Sequence, residues 1–412
     1  MCQRLTLVLI IVFLLNALSL GQLARADALV ADQPALSGSL RAVGNRVLLA
    51  NGLPYIPRGI SIYGGLEDTD YSENIPNLKA QIKAAADYWH TNTIRLQIAE
   101  SNLFSHITSG KTYNVNFLKL LINLVDYARS FNQVVVINDQ TEFTTNLPAP
   151  TAQTLKFWRI IGNTFGNKPY IVFDLFNEPR LSVKVGKSYP VLDQLSGNFQ
   201  PLKLFLRHRY VRRKTKSAAN LTWKLWEYGG TLNGVRYIGM QTLVNQIRDR
   251  GINNLIWIEG PNWAGALPSK SRFLSGNNLE YAYHHVNLNL PSSWTRIAVL
   301  AQTKPVVDGE WAQYESPWEE CFSSAPKTVP LYLNFLLANH IGLVAWSLQP
   351  GSLLKGLPRL VPANNNSPQD TRSANQLQTP NRFLGHYACS DHFGQGSGAL
   401  IKQYFADNPA PI

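Results

Sequence analysis

Short runs of β-branched, aliphatic and aromatic residues alternate along the chain with longer amphipathic stretches. Eight runs read as strands: Ile56–Tyr63, Thr93–Ile98, Val134–Asn138, Tyr170–Phe176, Leu255–Glu259, Glu280–His285, Pro305–Gly309 and Gly342–Leu348. Each is bounded by polar residues or glycine, the punctuation expected of buried strands. Between them apolar residues recur at helical spacing. Asn77–His90 carries Leu78, Ile82, Ala85, Ala86 and Trp89, and Asn116–Phe131 carries Phe117, Leu120, Leu121, Leu124, Val125 and Ala128. Gly239–Arg250 and Thr328–Asn339 repeat the pattern. Strand and helix in alternation predict a parallel sheet. Eight strands over this length predict a closed (β/α)8 TIM barrel in an α/β single domain, residues 27–412. On the pattern alone, an open doubly wound sheet is the alternative.

Two segments interrupt the rhythm. Residues 180–230 are too long for one connection and read as a rim insertion. From Arg180 to Lys216 there are ten lysines and arginines against one acid, Asp193, a local excess of +9. The whole chain carries a formal +12, so most of its basicity sits here. Such a segment can meet an anionic surface, or it is a solvated loop whose charge has no specific partner. Residues 356–378, rich in Asn, Pro, Ser and Gln, read as an exposed loop.

The chain opens with one positive charge, an apolar run from Leu5 to Leu20, and Ala24-Arg25-Ala26. These are the parts of a signal peptide over residues 1–26, cleaved before Asp27. A membrane anchor is the competing reading, but the run is short for a span. The mature chain is therefore expected to be secreted and to act as a monomer. Cys321 and Cys389 then remain, an even pair in an oxidising compartment. They form a disulfide or stay as two buried thiols.

The chemistry concentrates at two strand ends. Ile171-Val-Phe-Asp-Leu-Phe-Asn177-Glu178-Pro179 runs a buried strand into Asn-Glu-Pro. Proline lacks the N–H that a ladder needs, so the strand stops and Glu178 lies at the barrel's C-terminal mouth. Lys304-Pro-Val-Val-Asp308-Gly309-Glu310-Trp311 repeats the design. Two glutamates on separate strands can then face each other, as glycosidic bond cleavage requires. The ten tryptophans exceed what a core needs, and flat apolar rings suit stacking on pyranose faces.

Taken in order, these motifs resemble glycoside hydrolase family 5, the cellulase and mannanase family, over roughly Asn45 to Phe405. Asn177-Glu178-Pro179 resembles its acid/base motif on the fourth strand. Asp308-Gly309-Glu310-Trp311 resembles its nucleophile motif on the seventh. Asn92-Thr-Ile-Arg95-Leu resembles the second-strand segment whose arginine supports the nucleophile. Ala345-Trp346-Ser347 resembles the eighth-strand tryptophan beneath the sugar. Asn51-Gly52 through Arg58-Gly59 is similar to the first strand.

The resemblance implies roles. Glu178 is the acid/base and Glu310 the nucleophile. Arg95 keeps Glu310 ionised, because a nearby positive charge lowers a carboxyl pKa. Asn177 donates to the sugar 2-hydroxyl. Trp346 stacks beneath the ring, and Trp263, after the fifth strand, joins it as an aromatic substrate contact. Glu178 should sit in a less polar setting than Glu310 so that it holds a proton.

Two places depart from the family pattern. The sixth strand usually carries His, any residue, Tyr. Here Tyr281-Ala-Tyr283-His284-His285-Val286-Asn287 has no Tyr two residues after either histidine. His284 is favoured over His285, and only one of the two can face the mouth. On the third strand, Asn138-Asp139-Gln140-Thr141-Glu142 puts Gln140 where a histidine is usual.

The resemblance thus implies a secreted, retaining endo-β-glycanase acting on β-1,4-linked polysaccharide of the cellulose or β-glucan type. A β-mannanase, a transglycosylase of the same fold, and a non-catalytic carbohydrate-binding protein are the alternatives. No metal or cofactor is expected. The histidines are scattered, and neither a phosphate loop nor a serine-hydrolase elbow is present. The basic insertion lacks a nucleic-acid-binding motif.

Overall fold

A computed structural model of the chain describes residues 39–67, 75–141, 145, 147–181, 217–285, 294–311, 325–348, 353 and 398–409. The signal segment, Cys321, Cys389, residues 182–216, Glu142 and the loop 356–378 lie outside the described residues. Within Ser37–Pro411, eight parallel strands close a barrel. In chain order the described strands are β1 (Arg41–Val43), β2 (Arg46–Leu48), β3 (Arg58–Ile62), β4 (Thr93–Ile98), β5 (Val134–Asp139) and β6 (Ile171–Asp174). They continue with β7 (Gly229–Leu232), β8 (Val235–Ile238), β9 (Leu255–Glu259), β10 (Leu279–His285), β11 (Val306–Trp311) and β12 (Gly342–Ala345). The barrel order is β10-β11-β12-β3-β4-β5-β6-β9, so sequential strands are neighbours throughout. Helices Ile75–Trp89, Val115–Arg129, Met240–Arg248 and Ala325–Ala338 fall between strands as the periodicity predicts, and Ala152–Phe165 and Thr295–Ala301 add two that it did not single out. The chain is a (β/α)8 barrel.

Period-two alternation sorts each strand into two faces. On β4, Ile94, Leu96 and Ile98 belong to the apolar core shared with the helices. Arg95 and Gln97 alternate with them and hydrogen-bond inside the lumen, Arg95 to Asp174 and Glu310 and Gln97 to Gln140 just past β5. On β10, Tyr281 and Tyr283 join the outer core, while Glu280, Ala282 and His284 take the other face. The lumen therefore holds a polar layer at the C-terminal mouth, where barrels of this type keep their chemistry.

Two local features differ from the sequence expectation, and a third fills in the rim insertion. The first barrel strand begins only at Arg58; Asn51 and Gly52 form a turn, with Gly52 at φ 83°. That turn follows a two-stranded hairpin, β1–β2. Tyr55 Oη bonds Thr93 Oγ1 at 2.6 Å, so this segment is tied to the foot of β4. The fourth barrel strand ends at Asp174 and not at Phe176. Finally, the described end of the rim insertion is structured: a helix over 217–228 leads into the antiparallel hairpin β7–β8. Trp226 on that helix donates its indole N–H to the Glu259 carbonyl at 2.8 Å, fastening the helix to the rim of β9.

Candidate active site

The site is organised around Arg95, whose side chain is fully buried. Its Nε lies 2.9 Å from Asp174 on β6, its Nη1 2.8 Å from Glu310 on β11, and its Nη2 3.2 Å from Glu259 on β9. Nη2 also donates to Asn177 Oδ1 at 2.6 Å. A planar, permanently charged fork is the side chain that can serve so many acceptors at once. Burial alone would lower the Arg95 pKa, but Asp174, Glu310 and Glu259 together raise it above its ordinary value. Asp174 moves the other way. Burial and the neighbouring Glu259 push its carboxyl up to about 8 despite Arg95.

Glu178 sits four residues past the end of β6, in a turn. Its φ is +46°, in the left-handed region that a non-glycine residue rarely enters, and the following proline restricts it further. Its N–H donates to Glu259 Oε2 at 2.6 Å. The turn is also held by Asn177 N–H to Asp139 O at 2.8 Å and by Trp263 N–H to Pro179 O at 3.2 Å. Glu178 Oε1 meets His284 Nδ1 at 2.9 Å.

Glu310 depends on a bulge. Along β10–β11, Tyr283 pairs with Asp308, but His284 pairs with Glu310, so Gly309 is an extra residue. Asp308 points outward, accepting from Tyr332 of the helix Ala325–Ala338. Strict alternation would send Glu310 outward too. The one-residue bulge turns it into the lumen instead, onto Arg95. Gly309 is suited to this place. A Cβ there would lie 3.3 Å from the Ala282 Cβ and 3.6 Å from His284 Nε2. The His284 ring makes the close approach at this glycine.

His284 is buried between carboxylates. Nδ1 faces Glu178, Nε2 is 3.1 Å from Glu259 Oε1, and Glu310 Oε2 is 3.9 Å from Nδ1. Burial would discharge the ring, but Glu259 and Glu310 outweigh it and raise its pKa well above the ordinary value. Burial likewise pushes Glu259 up, and His284, Arg95 and the Glu178 N–H overturn that and hold it low. For Glu310 burial prevails: its carboxyl is raised, against the pull of His284 and Arg95.

One carboxylate oxygen of Glu178, one of Glu310 and a ring nitrogen of His284 all lie within 4.8 Å of one another. The fold thus gathers a histidine and two acids that are scattered in sequence, a span that a metal ion could bridge. A metal would need a lone pair on the ring. Here both ring nitrogens face carboxylate oxygens, so the trio fits an acid–base cluster better than a ligand set.

The remaining candidates surround this centre. Gln140 is buried and accepts from Gln97 Nε2 at 2.8 Å, and the same Nε2 is 3.5 Å from Glu310 Oε2. Trp346 is nearly buried and meets Tyr63 edge to face, with ring centroids 5.1 Å apart. Trp263 is 54% exposed and lies in a run of left-handed residues, Asn262, Trp263 and Ala264. Nothing is described of the His285 side chain. The expectation that Glu178 is the less solvated acid is reversed. Its side chain is 20% exposed against 9% for Glu310, because it rides a turn at the rim while Glu310 is folded inward. Glu259 was absent from the sequence candidates. As the last residue of an ordinary buried strand it carried only one signal, an acid closing an apolar run.

A closed parallel barrel with opposed carboxylates over a buried arginine defines a glycoside hydrolase. A family model for cellulases of glycosyl hydrolase family 5 matches residues 58–352, and the chain belongs to that family. Among solved structures it is similar to a thermostable, halotolerant cellulase of the family from an Icelandic hot spring isolate. That pair shares 18% identity at a TM-score of 0.52, covering 92% of this chain and 98% of the other. The cellulase Cel5C_n aligns at 14% identity and a TM-score of 0.54, over 92% and 97%. The catalytic domain of the Thermobifida fusca endoglucanase Cel5A, with cellotetraose bound, aligns at 15% and 0.50, over 89% and 96%. At these identities the likeness speaks for the fold. No protein of curated function matches by sequence.

Proposed function

We propose that the chain is an exported, retaining endo-acting β-1,4-glucanase with Glu178 as acid/base and Glu310 as nucleophile. The observation that carries this is the approach of the two carboxylates, with facing oxygens within 4.8 Å. Retaining enzymes hold their pair about 5–5.5 Å apart, and inverting enzymes leave about 6.5–9.5 Å for a water.

In the first step the Glu178 proton passes to the glycosidic oxygen while a Glu310 oxygen attacks the anomeric carbon. The glycosidic bond breaks, the leaving chain departs as an alcohol, and a glycosyl ester forms on Glu310. In the second step Glu178 takes a proton from water, whose oxygen attacks the same carbon and releases Glu310. Arg95 favours the ionised Glu310 before attack and after release. With Oδ1 of Asn177 held by Arg95, Nδ2 is the end of that amide that can donate to a sugar hydroxyl. Trp346 in the mouth and exposed Trp263, tethered to Pro179, supply flat faces for pyranose rings.

The test is hydrolysis of soluble β-1,4-glucans and β-1,4-mannans, with product configuration followed by proton NMR. The β-anomer should appear first on glucan. Glu178→Gln should lower turnover by about 10²–10⁴-fold, and Glu310→Gln by more. An α-anomer as first product, or full turnover in either variant, defeats the proposal. Preference for mannan would change only the substrate.

A further inference from the structure

We propose that Glu259 is the positioning residue of this site: one buried carboxylate that pins the main chain of Glu178 and holds the His284 ring against the Glu178 side chain. The inference rests on reading Glu178 as the acid/base.

Three observations carry it. First, Glu259 Oε2 accepts the Glu178 N–H at 2.6 Å, at a residue whose φ of +46° precedes a proline. A sparsely populated backbone conformation persists only where its surroundings over-determine it. This short bond, made to an anion, is the contact best placed to do so. Second, Glu259 Oε1 lies 3.1 Å from His284 Nε2, while His284 Nδ1 meets Glu178 Oε1 at 2.9 Å. A neutral imidazole has one donor and one acceptor. Nε2 is not aligned to hydrogen-bond Oε1, so Glu259 acts on the ring by charge. A ring with no exposure to water and Glu178, Glu259 and Glu310 around it is best held as the doubly protonated cation. Third, the surroundings keep Glu259 ionised. Arg95 from β4 lies 3.2 Å from Oε1. The other charged or titrating groups at the cluster are Asp174 from β6 and Glu310 from β11. The helix 217–228 contributes the Trp226 indole, to the Glu259 carbonyl.

The consequence concerns the His284 ring against Glu178. The anion at Glu259 favours the protonated ring, so the Nδ1–H that faces Glu178 Oε1 survives to higher pH. In this chain the sixth strand has no tyrosine two residues beyond the histidine, and the fifth strand supplies the fixing group instead.

Glu259→Gln keeps the volume and removes the charge. Its kcat should fall about tenfold or more with KM little changed, because misplacing a catalytic group is felt in the chemical step. The basic limb of kcat/KM against pH should move down by about one unit or more, the size of shift that one adjacent charge produces. Glu259→Asp restores the charge without the full reach, so its basic limb should return toward that of the wild type. A merely structural role would lower stability and leave the limb in place. A limb that does not move in Glu259→Gln, or a kcat within twofold of the wild type, overturns the proposal.

If Glu259→Gln does not fold, nitrogen-15 NMR of the histidines in the wild-type chain decides. At pH 8 ordinary imidazoles are neutral. One ring with both nitrogens protonated is expected among the eight histidines, and its absence overturns the proposal. This measurement needs no turnover. A chain inactive on every glycan would sink the proposed function, while the NMR would still report on Glu259 by itself.

Discussion

Glu280 offers the sharpest stability experiment in the molecule. It sits on the lumen face of β10, four residues before His284 and so about 13 Å below it at the strand's rise. Its side chain is buried and accepts from the Trp257 indole at 2.7 Å. A small cavity beside it is lined by Arg46, Tyr55 and His340 among others. Burial raises its carboxyl from 4.5 to about 8, only partly offset by the Trp257 bond. The unfolded chain therefore releases this proton near pH 4.5, and the folded chain holds it until about pH 8. Between those values the unfolded state binds fewer protons, so stability falls as pH rises, by about 1.4 kcal/mol per unit. At pH 7 the accumulated cost is about 3 kcal/mol, and at pH 5 it is less than about 1 kcal/mol. Glu280→Gln preserves the acceptor for Trp257 and removes the titration. Urea denaturation of both proteins at pH 5, 6, 7 and 8 should show the variant gaining on the wild type throughout, by about 3 kcal/mol in all. Turnover should be unchanged, since the substitution lies far below the mouth. Parallel stability curves would refute the reasoning, because they would mean that Glu280 titrates alike folded and unfolded.

Other substitutions probe the mouth. Arg95→Met strips the shared partner from Asp174, Glu259 and Glu310 and should cost about 3–5 kcal/mol in urea denaturation, the penalty for breaking a buried ion pair. Gly309→Val places a branched side chain against Ala282 and the His284 ring, and should lower kcat more than it lowers the unfolding midpoint. Trp263→Ala removes a half-exposed ring, so KM for long glucan chains should rise severalfold while the denaturation midpoint hardly moves.

The barrel was legible because its signal is repeated. A parallel barrel strand is buried on both faces and reads as a compact apolar run, and eight of them punctuated by helices leave few alternatives. Glu178 and Glu310 were legible for a related reason: an acid directly after such a run has few places to go except the rim. What alternation could not supply was aim. Glu310 faces the lumen only because Gly309 is an extra residue in β11, and a bulge has no signature beyond a glycine at a strand end. Glu259 was illegible because its meaning is wholly three-dimensional: it matters through Arg95, His284 and Glu178, none of them near it in sequence. The hairpin β7–β8 could have been found. Asn233-Gly234 between Thr231-Leu232 and Val235-Arg236-Tyr237-Ile238 is a strong two-residue hairpin signal, and Gly44-Asn45 between β1 and β2 is a kindred one.

The two departures from the family pattern look, in sequence, like losses of function, and the structure gives a physical reason to read them otherwise. On the third strand, Gln140 acts on a neighbour of Glu310. It holds Gln97, whose amide nitrogen is 2.8 Å from Gln140 and 3.5 Å from Glu310. On the sixth, His284 is braced from the fifth strand by Glu259. Both arrangements supply orientation through a neighbour. The charged groups are also interleaved: Arg95 and His284 lie against the carboxylates Glu259 and Glu310, with Asp174 on Arg95 Nε. A buried cluster is tolerable only when its charges are paired and bonded. In this one each cation touches both carboxylates or lies within 3.9 Å of them. Glu178 stands at the rim of that cluster, its side chain 20% exposed, where a substrate can reach it.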